Sequence, residues 1–194
     1  MTSRDAILAA VRANQPSSVR LPAMPVFEQN AGPLVEQFQD ALVRMGGKLA
    51  PFSDGCDLDT LVKSLFPDAK VICSATSEAR GTRPLDKNAA PASLADVDVA
   101  VVRAAFGVAE TGSVWLSEDE LKVNALAYLA QHLVVLLDPV RIVGNLHHAY
   151  GDPGFKTARY AVLVTGPSAT ADIEGVLIHG AQGVRSLTVL MAPL

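Results

Sequence analysis

The sequence has few cysteines, and this limits the cofactors that the chain can hold by itself. It carries two, Cys56 and Cys73, in 194 residues. Because no C-x-x-C pair occurs, a cysteine-bound zinc ion or an iron–sulfur cluster built by this chain alone is nearly excluded. The two thiols could form one disulfide, but a pair in a chain of this size is more typical of a reducing compartment. We therefore expect no cofactor and no metal in this chain.

Long apolar runs and strong charge of one sign are also missing. No stretch of about 18 uninterrupted apolar residues occurs, so no membrane span is expected, and the first residues do not resemble a secretory signal. The net charge is -4, from 20 acidic and 16 basic residues, with no dense basic stripe. These absences argue against a nucleic-acid partner or an anionic-membrane surface. They favour a cytoplasmic protein.

The residues that are present predict one α/β domain. Hydrophobic residues make up 49% of the chain, enough for a sizeable core. Helical spacing and capping residues predict helices at 3–14, 33–45 and 57–66, a helix after Ser117, and one from Asp138 to about Tyr150. Short apolar runs predict strands at 48–52, 69–74, 98–103, 112–117, 132–137, 160–165 and 186–191. This alternation predicts a largely parallel sheet covered on both faces.

The proline-containing stretch before the first long helix predicts a boundary. Residues 1–31 are expected to form an N-terminal helix, capped by Ser3, and an extended arm, and residues 32–194 the domain. The arm could pack on a neighbouring subunit or on its own domain. Residues 75–93 exceed the usual length of a connection, which favours a functional or mobile loop or an unrecognised helix.

One candidate site segment lies between two predicted strands, at 107–116 (GVAETGSVWL). Glu110 could act as a nucleophile, a base or a hydrogen-bond acceptor. Thr111 and Ser113 add hydroxyls, and Gly112 allows close approach of backbone to a ligand. The alternative is a sharp turn whose carboxylate binds backbone N–H groups.

A second candidate segment follows the predicted strand 160–165. Loops at the carboxyl ends of parallel strands form the ligand crevice of α/β sheets. The hydroxyls and free N–H groups of this segment could bind an anion. Its carboxylates could take part in catalysis or binding, or they could be helix-cap and surface groups. We expect this segment and the Glu110 segment to form neighbouring walls of one cleft. The residues concerned are Thr165, Gly166, Ser168, Thr170, Asp172 and Glu174.

Other polar groups carry weaker indications. His147 and His148 point about 100° apart on the predicted helix, so they do not suggest a metal site. Arg80, Arg83 and Lys87 could clamp an anion, but a solvated loop is the favoured interpretation. Neither a Walker loop nor G-x-G-x-x-G occurs, so an ATP or NAD site is not supported.

Three motifs in order resemble a known family. They are 109–113 (AETGS), 138–143 (DPVRIV) and 166–174 (GPSATADIE). Together they resemble the LUD domain of the lactate-utilisation protein C (LutC/YkgG) group, over roughly residues 30–192. The resemblance implies a three-layer α/β fold like that of the NagB/RpiA/CoA-transferase group. It also implies a part in the oxidation of L-lactate to pyruvate by a three-protein cytoplasmic system, whose other two members carry the iron–sulfur cysteines.

The resemblance therefore implies an accessory subunit without iron–sulfur clusters, rather than the catalytic centre. Some CoA-transferases of similar fold use a glutamate in a Glu-Asn-Gly turn, and here Thr111 stands in place of the Asn. Two alternatives remain. The chain could be a stand-alone enzyme, acyl-CoA transferase-like or sugar-phosphate isomerase-like, with Glu110 or Asp172 as nucleophile or base, or it could be a purely structural assembly domain.

Overall fold

The computed structural model describes residues 2–20, 22, 25, 32–53, 55–171 and 175–194. Helices and strands alternate along the chain as a mixed α/β fold. The helices are α1 (Ser3–Ala13), α2 (Leu34–Arg44), α3 (Leu58–Leu65), α4 (Glu118–Leu121), α5 (Leu126–Leu129), α6 (Leu146–Ala149) and α7 (Gly154–Thr157). The strands are β1 (Lys48–Ala50), β2 (Ile72–Ser74), β3 (Val99–Arg103), β4 (Phe106–Val108), β5 (Ser113–Ser117), β6 (His132–Leu137), β7 (Ile142–Val143), β8 (Ala161–Val164), β9 (Ala169–Thr170), β10 (Ile178–His179) and β11 (Ser186–Met191).

The central sheet is parallel, as the apolar runs predict. Its order among the described residues is β1-β11-β6-β3-β2. One row of paired residues crosses all five strands, from Lys48 through Thr188, Val134 and Val101 to Ser74. The middle strands are buried on both faces, which explains why they lack polar alternation.

Each face of this sheet is covered by a different layer. Val99, Val101, Val134 and Leu136 pack on one side in a core with α3. The residues that alternate with them along the same strands, such as Ala100 and Val135, pack on the other side with α2 and with a second sheet. The second sheet has the order β7-β4-β5-β8. The predicted three-layer α/β fold is therefore correct, although part of one outer layer is itself a sheet.

The second sheet departs from the parallel arrangement that the sequence predicts. β5 pairs antiparallel with both β4 and β8, and only β4 and β7 run parallel. Strand β4 has three residues, Phe106 to Val108, and was not predicted because so short a run gives no periodic signal. β8 therefore belongs to the mixed sheet, and its carboxyl end does not lie at the edge of the parallel sheet.

The two predicted helices with clear apolar stripes, α2 and α3, are confirmed. In α2, Phe38 and Leu42 are fully buried, and Gly46, with φ 82°, follows its end. Pro33 is the N-cap residue of α2 rather than its first helical residue. In α3, the Asp57 side chain accepts from the Thr60 backbone N–H at 3.1 Å, as a capping residue should.

The predicted helix from Asp138 to Tyr150 is wrong. Asp138 does cap a first turn, but this is a 3₁₀ turn at Pro139–Arg141. The chain then forms β7, because Ile142 and Val143 pair with Gly107 and Val108. Tertiary pairing with β4 thus overrides local helix signals, and only α6 of the predicted helix exists.

The predicted helix after Ser117 is interrupted. The capping box of Ser117 and Glu120 forms as expected. The chain then turns sharply at Lys122, where φ is 60° and the Val123 N–H donates to the Leu121 carbonyl at 2.6 Å. This geometry is that of a γ-turn, which breaks the helix into α4 and α5.

Outside the core, α1 is capped by Thr2 rather than by Ser3, and none of its residues is buried. Loop 75–93 contains no described helix until a 3₁₀ turn at Pro91–Leu94. The Asp59 carboxylate of α3 holds this loop by accepting from the N–H groups of Arg80 and Gly81. Among the residues described, no helix has the length and apolar character needed to cross a membrane.

Candidate functional site

The Glu110 segment forms the tight turn between β4 and β5. The Gly112 N–H donates to the Val108 carbonyl at 2.9 Å, and Gly112 has a φ of 65°. A Cβ atom at this position would lie 2.2 Å from the Leu42 backbone nitrogen. Glycine therefore lets the turn rest directly on the backbone of α2.

Glu110 is exposed and tied to the start of α6. Its backbone N–H donates to the Gly144 carbonyl at 3.0 Å. Its Oε2 atom accepts from the Leu146 N–H at 3.1 Å. One oxygen of the Glu110 carboxylate therefore binds a backbone N–H group, as in the sharp turn that the sequence allows as an alternative to a catalytic role.

A chain of three hydroxyls joins the two candidate segments. Thr111 Oγ1 lies 2.7 Å from Ser113 Oγ, and Ser113 Oγ lies 2.5 Å from Thr165 Oγ1. The antiparallel register of β5 and β8, with Val114 opposite Val164, places Ser113 and Thr165 side by side. Ser113 is buried. Thr165 is thus the residue of the second segment that contacts the Glu110 segment.

The second segment also rests on α2. Gly166 has a φ of 66°, and a Cβ atom there would lie 2.1 Å from the Met45 carbonyl oxygen. Both segments are thus held against the last two turns of the same helix. Sequence reasoning missed α2 as a wall of the site, because an amphipathic stripe reports what a helix buries and not which loops approach its backbone.

An open cavity of about 480 Å³ lies between these segments and α2. It combines an arginine, a carboxylate and three hydroxyls with an apolar wall, a composition typical of small-molecule sites. The lining residues are Ala41, Arg44, Met45, Glu110, Thr111, Ser113, Leu146, Leu163 and Thr165.

The remaining residues of the second segment lie elsewhere or outside the described residues. Ser168 Oγ donates to the Gln182 carbonyl, and the Ser168 N–H donates to the Val184 carbonyl at 2.9 Å. Thr170 pairs with Ile178 in the ladder of β9 and β10. Neither Ser168 nor Thr170 is among the residues that line the cavity. Asp172 and Glu174 lie outside the described residues.

Another cavity, of about 450 Å³, lies at the carboxyl edge of the parallel sheet, but its cations are already paired. Arg103 donates through Nε to Glu78 Oε2 at 2.7 Å and through Nη1 to the Ala192 carbonyl at 2.9 Å. The hydrogen bond from Arg103 is the main reason why the pKa of Glu78 lies below its usual range. Lys122 Nζ donates to the Asp119 carbonyl. This cavity therefore offers less to an incoming anion.

A further cavity lies at the amino edge of the same sheet, beside His132. The imidazole ring stacks on Phe66 with centroids 4.7 Å apart, and its Nδ1 atom lies 2.8 Å from Ser186 Oγ. Burial, followed by the charge of Arg185, lowers the pKa of His132. The ring is thus held by packing and a hydrogen bond.

In the part of the chain that the structure describes, no group of three or more His, Cys, Asp or Glu side chains is arranged to hold a metal ion. Both cysteines are free thiols, Cys56 exposed and Cys73 buried. The anion-clamping residues suggested for loop 75–93 include Arg83, whose guanidinium instead binds Asp96 at 2.9 Å.

Comparison with known proteins assigns this chain to a family and supports its fold. The family model of the LUD domain matches residues 79–191. An uncharacterized protein of Neisseria meningitidis serogroup B is 29% identical over 100 residues, which are 49% of this chain and 42% of that protein. The chain thus spans less than half the length of this curated relative.

A crystal structure of a DUF162 family protein from Deinococcus radiodurans matches with a TM-score of 0.63 at 17% identity. The match covers 81% of this chain and 94% of that one, so it supports the fold. The segment matched by the family model holds the Glu110 turn, β8 and the central strands β3, β6 and β11, whereas α2 precedes it. On this match over more than half of its length, the chain belongs to the LUD domain family.

Proposed function

We propose that this chain is an accessory subunit, without iron–sulfur clusters, of a cytoplasmic system that oxidises L-lactate to pyruvate. The observation that carries the proposal is the LUD domain match over residues 79–191. That segment contains the AETGS motif and the GPSATADIE motif, whose order resembles the lactate-utilisation protein C group.

The cysteine content supports an accessory role. Oxidation of lactate to pyruvate releases two electrons, which a partner has to accept. Iron–sulfur clusters are held mainly by several cysteine thiolates, whereas this chain has two cysteines, of which Cys73 is buried. We therefore assign the electron carriers to iron–sulfur partner proteins. Within this role, the cavity beside Glu110 and Thr165 would take a small carboxylate or phosphate ligand.

Growth and co-purification test the proposal. Deletion of the gene is expected to abolish growth on L-lactate as sole carbon source while growth on pyruvate continues, because only the oxidation step is lost. The tagged full-length chain is expected to co-purify with proteins that contain iron and acid-labile sulfide. Unimpaired growth on lactate in a deletion strain without another lactate oxidase would contradict the proposal.

The cavity favours a second candidate, a stand-alone enzyme of acyl-CoA transferase or sugar-phosphate isomerase type. It brings a carboxylate, Glu110, beside three hydroxyls in a space whose volume is in the usual range of small-molecule sites. Thermal-shift measurements with CoA esters and sugar phosphates test this candidate. A stabilising ligand whose effect is lost in Glu110→Gln would support it, and no shift with any of them would contradict it. If Glu110→Gln changes neither partner binding nor growth on lactate, a purely structural assembly domain is favoured instead.

A further inference from the structure

Among the described residues, the lining of the cavity between α2 and the two segments includes one arginine, Arg44, which lies outside the motifs that resemble the family. Arg44 lies in the last turn of α2, before the segment that the family model matches. It lines the cavity together with Glu110 and the hydroxyl chain. Arg44 is exposed, and within the described residues it forms no ion pair. Its guanidinium is therefore available to an anionic ligand.

We infer that this cavity binds a 2-hydroxy carboxylate, with Arg44 holding the carboxylate and Glu110 accepting a hydrogen bond from the 2-hydroxyl group. The choice of a 2-hydroxy acid rests in part on the proposed function. The assignment of Arg44 rests on the geometry of the cavity. A guanidinium pairs with a carboxylate through two parallel N–H donors, which fixes the orientation of the ligand as well as its charge.

The hydroxyl chain supplies a donor for the same ligand. Thr111, Ser113 and Thr165 have three hydroxyl protons, and the two hydrogen bonds between them use two of these protons. When Ser113 donates one of these two bonds, the third proton lies on the hydroxyl at one end, and no other hydrogen bond is given for either end hydroxyl among the described residues. It can therefore be donated to an oxygen of the ligand.

Glu110 distinguishes a hydroxyl group from a keto group at C2. An ionised carboxylate accepts hydrogen bonds and donates none. A 2-hydroxy acid offers it a proton, whereas the 2-oxo acid with the same carbon skeleton places an oxygen lone pair there instead. The cavity is thus expected to prefer L-lactate to pyruvate, and this preference depends on Glu110.

The apolar wall sets the expected side-chain length. The volume of about 480 Å³ is roughly sixteen times the ~30 Å³ that one water molecule occupies in the liquid, far more than a three-carbon acid needs. Ala41, Met45, Leu146 and Leu163 line the remaining space. Each extra methylene buried there should tighten binding about fourfold. 2-Hydroxy-4-methylpentanoate is therefore expected to bind more tightly than L-lactate.

A helix-stabilising role for Arg44 predicts a different result. A basic residue in the last turn of a helix interacts favourably with the helix dipole wherever that helix lies. Arg12 supplies the matched control, since it occupies the last turn of α1, another helix of 11 residues, and is also exposed. Replacing it tests the loss of a charge at a helix end without altering the cavity.

The experiment is calorimetric titration of the full-length protein with L-lactate, pyruvate, propionate and 2-hydroxy-4-methylpentanoate. We expect Arg44→Gln to weaken binding of the hydroxy acids at least tenfold, since a charge-assisted bidentate pair is lost. Arg12→Gln should leave binding unchanged. Glu110→Gln should remove the preference for L-lactate over pyruvate. Thermal unfolding of each variant confirms that it is folded before titration.

Equal affinities in Arg44→Gln and Arg12→Gln would overturn the inference, as would the absence of binding of all four acids to the wild-type protein. Complementation of a deletion strain separates this inference from the proposed function. Growth on lactate restored by the wild-type gene without measurable acid binding would overturn only the inference. Binding that depends on Arg44, in a protein that growth on lactate does not require, would overturn only the proposed function.

Discussion

At the scale of single residues, Gly112 shows how one missing side chain allows the site to form. Its φ of 65° is unfavourable for other residues, and its neighbour is the backbone of α2 rather than a flexible side chain. Gly112→Ala should therefore lower the free energy of unfolding by at least about 2 kcal/mol, from backbone strain and from separation of the turn from α2. In a chain of this size that corresponds to a fall in Tm of about 4–8 °C, measured by circular dichroism.

Gly55→Ala is the matched control for Gly112→Ala. Gly55 also has a positive φ, of 80°, but an added Cβ atom would meet nothing within 4 Å. The control measures strain alone, about 1 kcal/mol. If the two variants unfold at the same temperature, the contact between the turn and α2 contributes nothing to stability.

At the scale of elements, the break between α4 and α5 shows how a helix predicted from capping and apolar spacing can fail. Lys122 is the only described residue other than glycine with a positive φ. Because glycine adopts this conformation without the steric penalty, Lys122→Gly should raise the free energy of unfolding by about 0.5–1 kcal/mol. Urea denaturation gives this difference directly from the shift of the midpoint.

Lys63→Gly is the comparison for Lys122→Gly. Lys63 is exposed and lies in the regular helix α3, where glycine is a poor helix former. The same substitution should there lower the free energy of unfolding by about 0.7 kcal/mol. A loss of stability in both variants would show that the turn at Lys122 is not strained.

At the scale of the whole molecule, the two ends of the chain differ in what they contribute to the fold. Helix α1 buries none of its residues, whereas β11 lies inside the parallel sheet between β1 and β6. Removal of residues 1–20 should change Tm by less than about 2 °C, since little apolar surface is lost. Removal of residues 186–194 should abolish cooperative unfolding, because it leaves two neighbouring strands without their partner.

Calorimetry of the two truncated proteins checks this prediction. A large fall in Tm after removal of residues 1–20 would show that α1 stabilises the domain, on this chain or on a second copy. It would also contradict the proposed boundary near residue 31.

The parallel sheet could be predicted because its information is local. Residues 132–137 and 186–191 are largely apolar runs of strand length, and such runs are buried when they pair inside a sheet. The capping residues Asp57 and Ser117 likewise mark helix starts correctly. They do not mark helix ends, which at Leu121 depend on a turn that no capping pattern specifies.

By itself, the sequence determined the fold class, the central strands, the cysteine content and the motifs that resemble the family. The tertiary structure decided the mixed second sheet, in which Ile142 and Val143 became a strand by pairing with β4 rather than part of a helix. It also decided the cavity, since Arg44 and Glu110 are 66 positions apart in the sequence. Local patterns report which residues are buried, whereas the approach of two glycines to the backbone of α2 depends on contacts between distant parts of the chain.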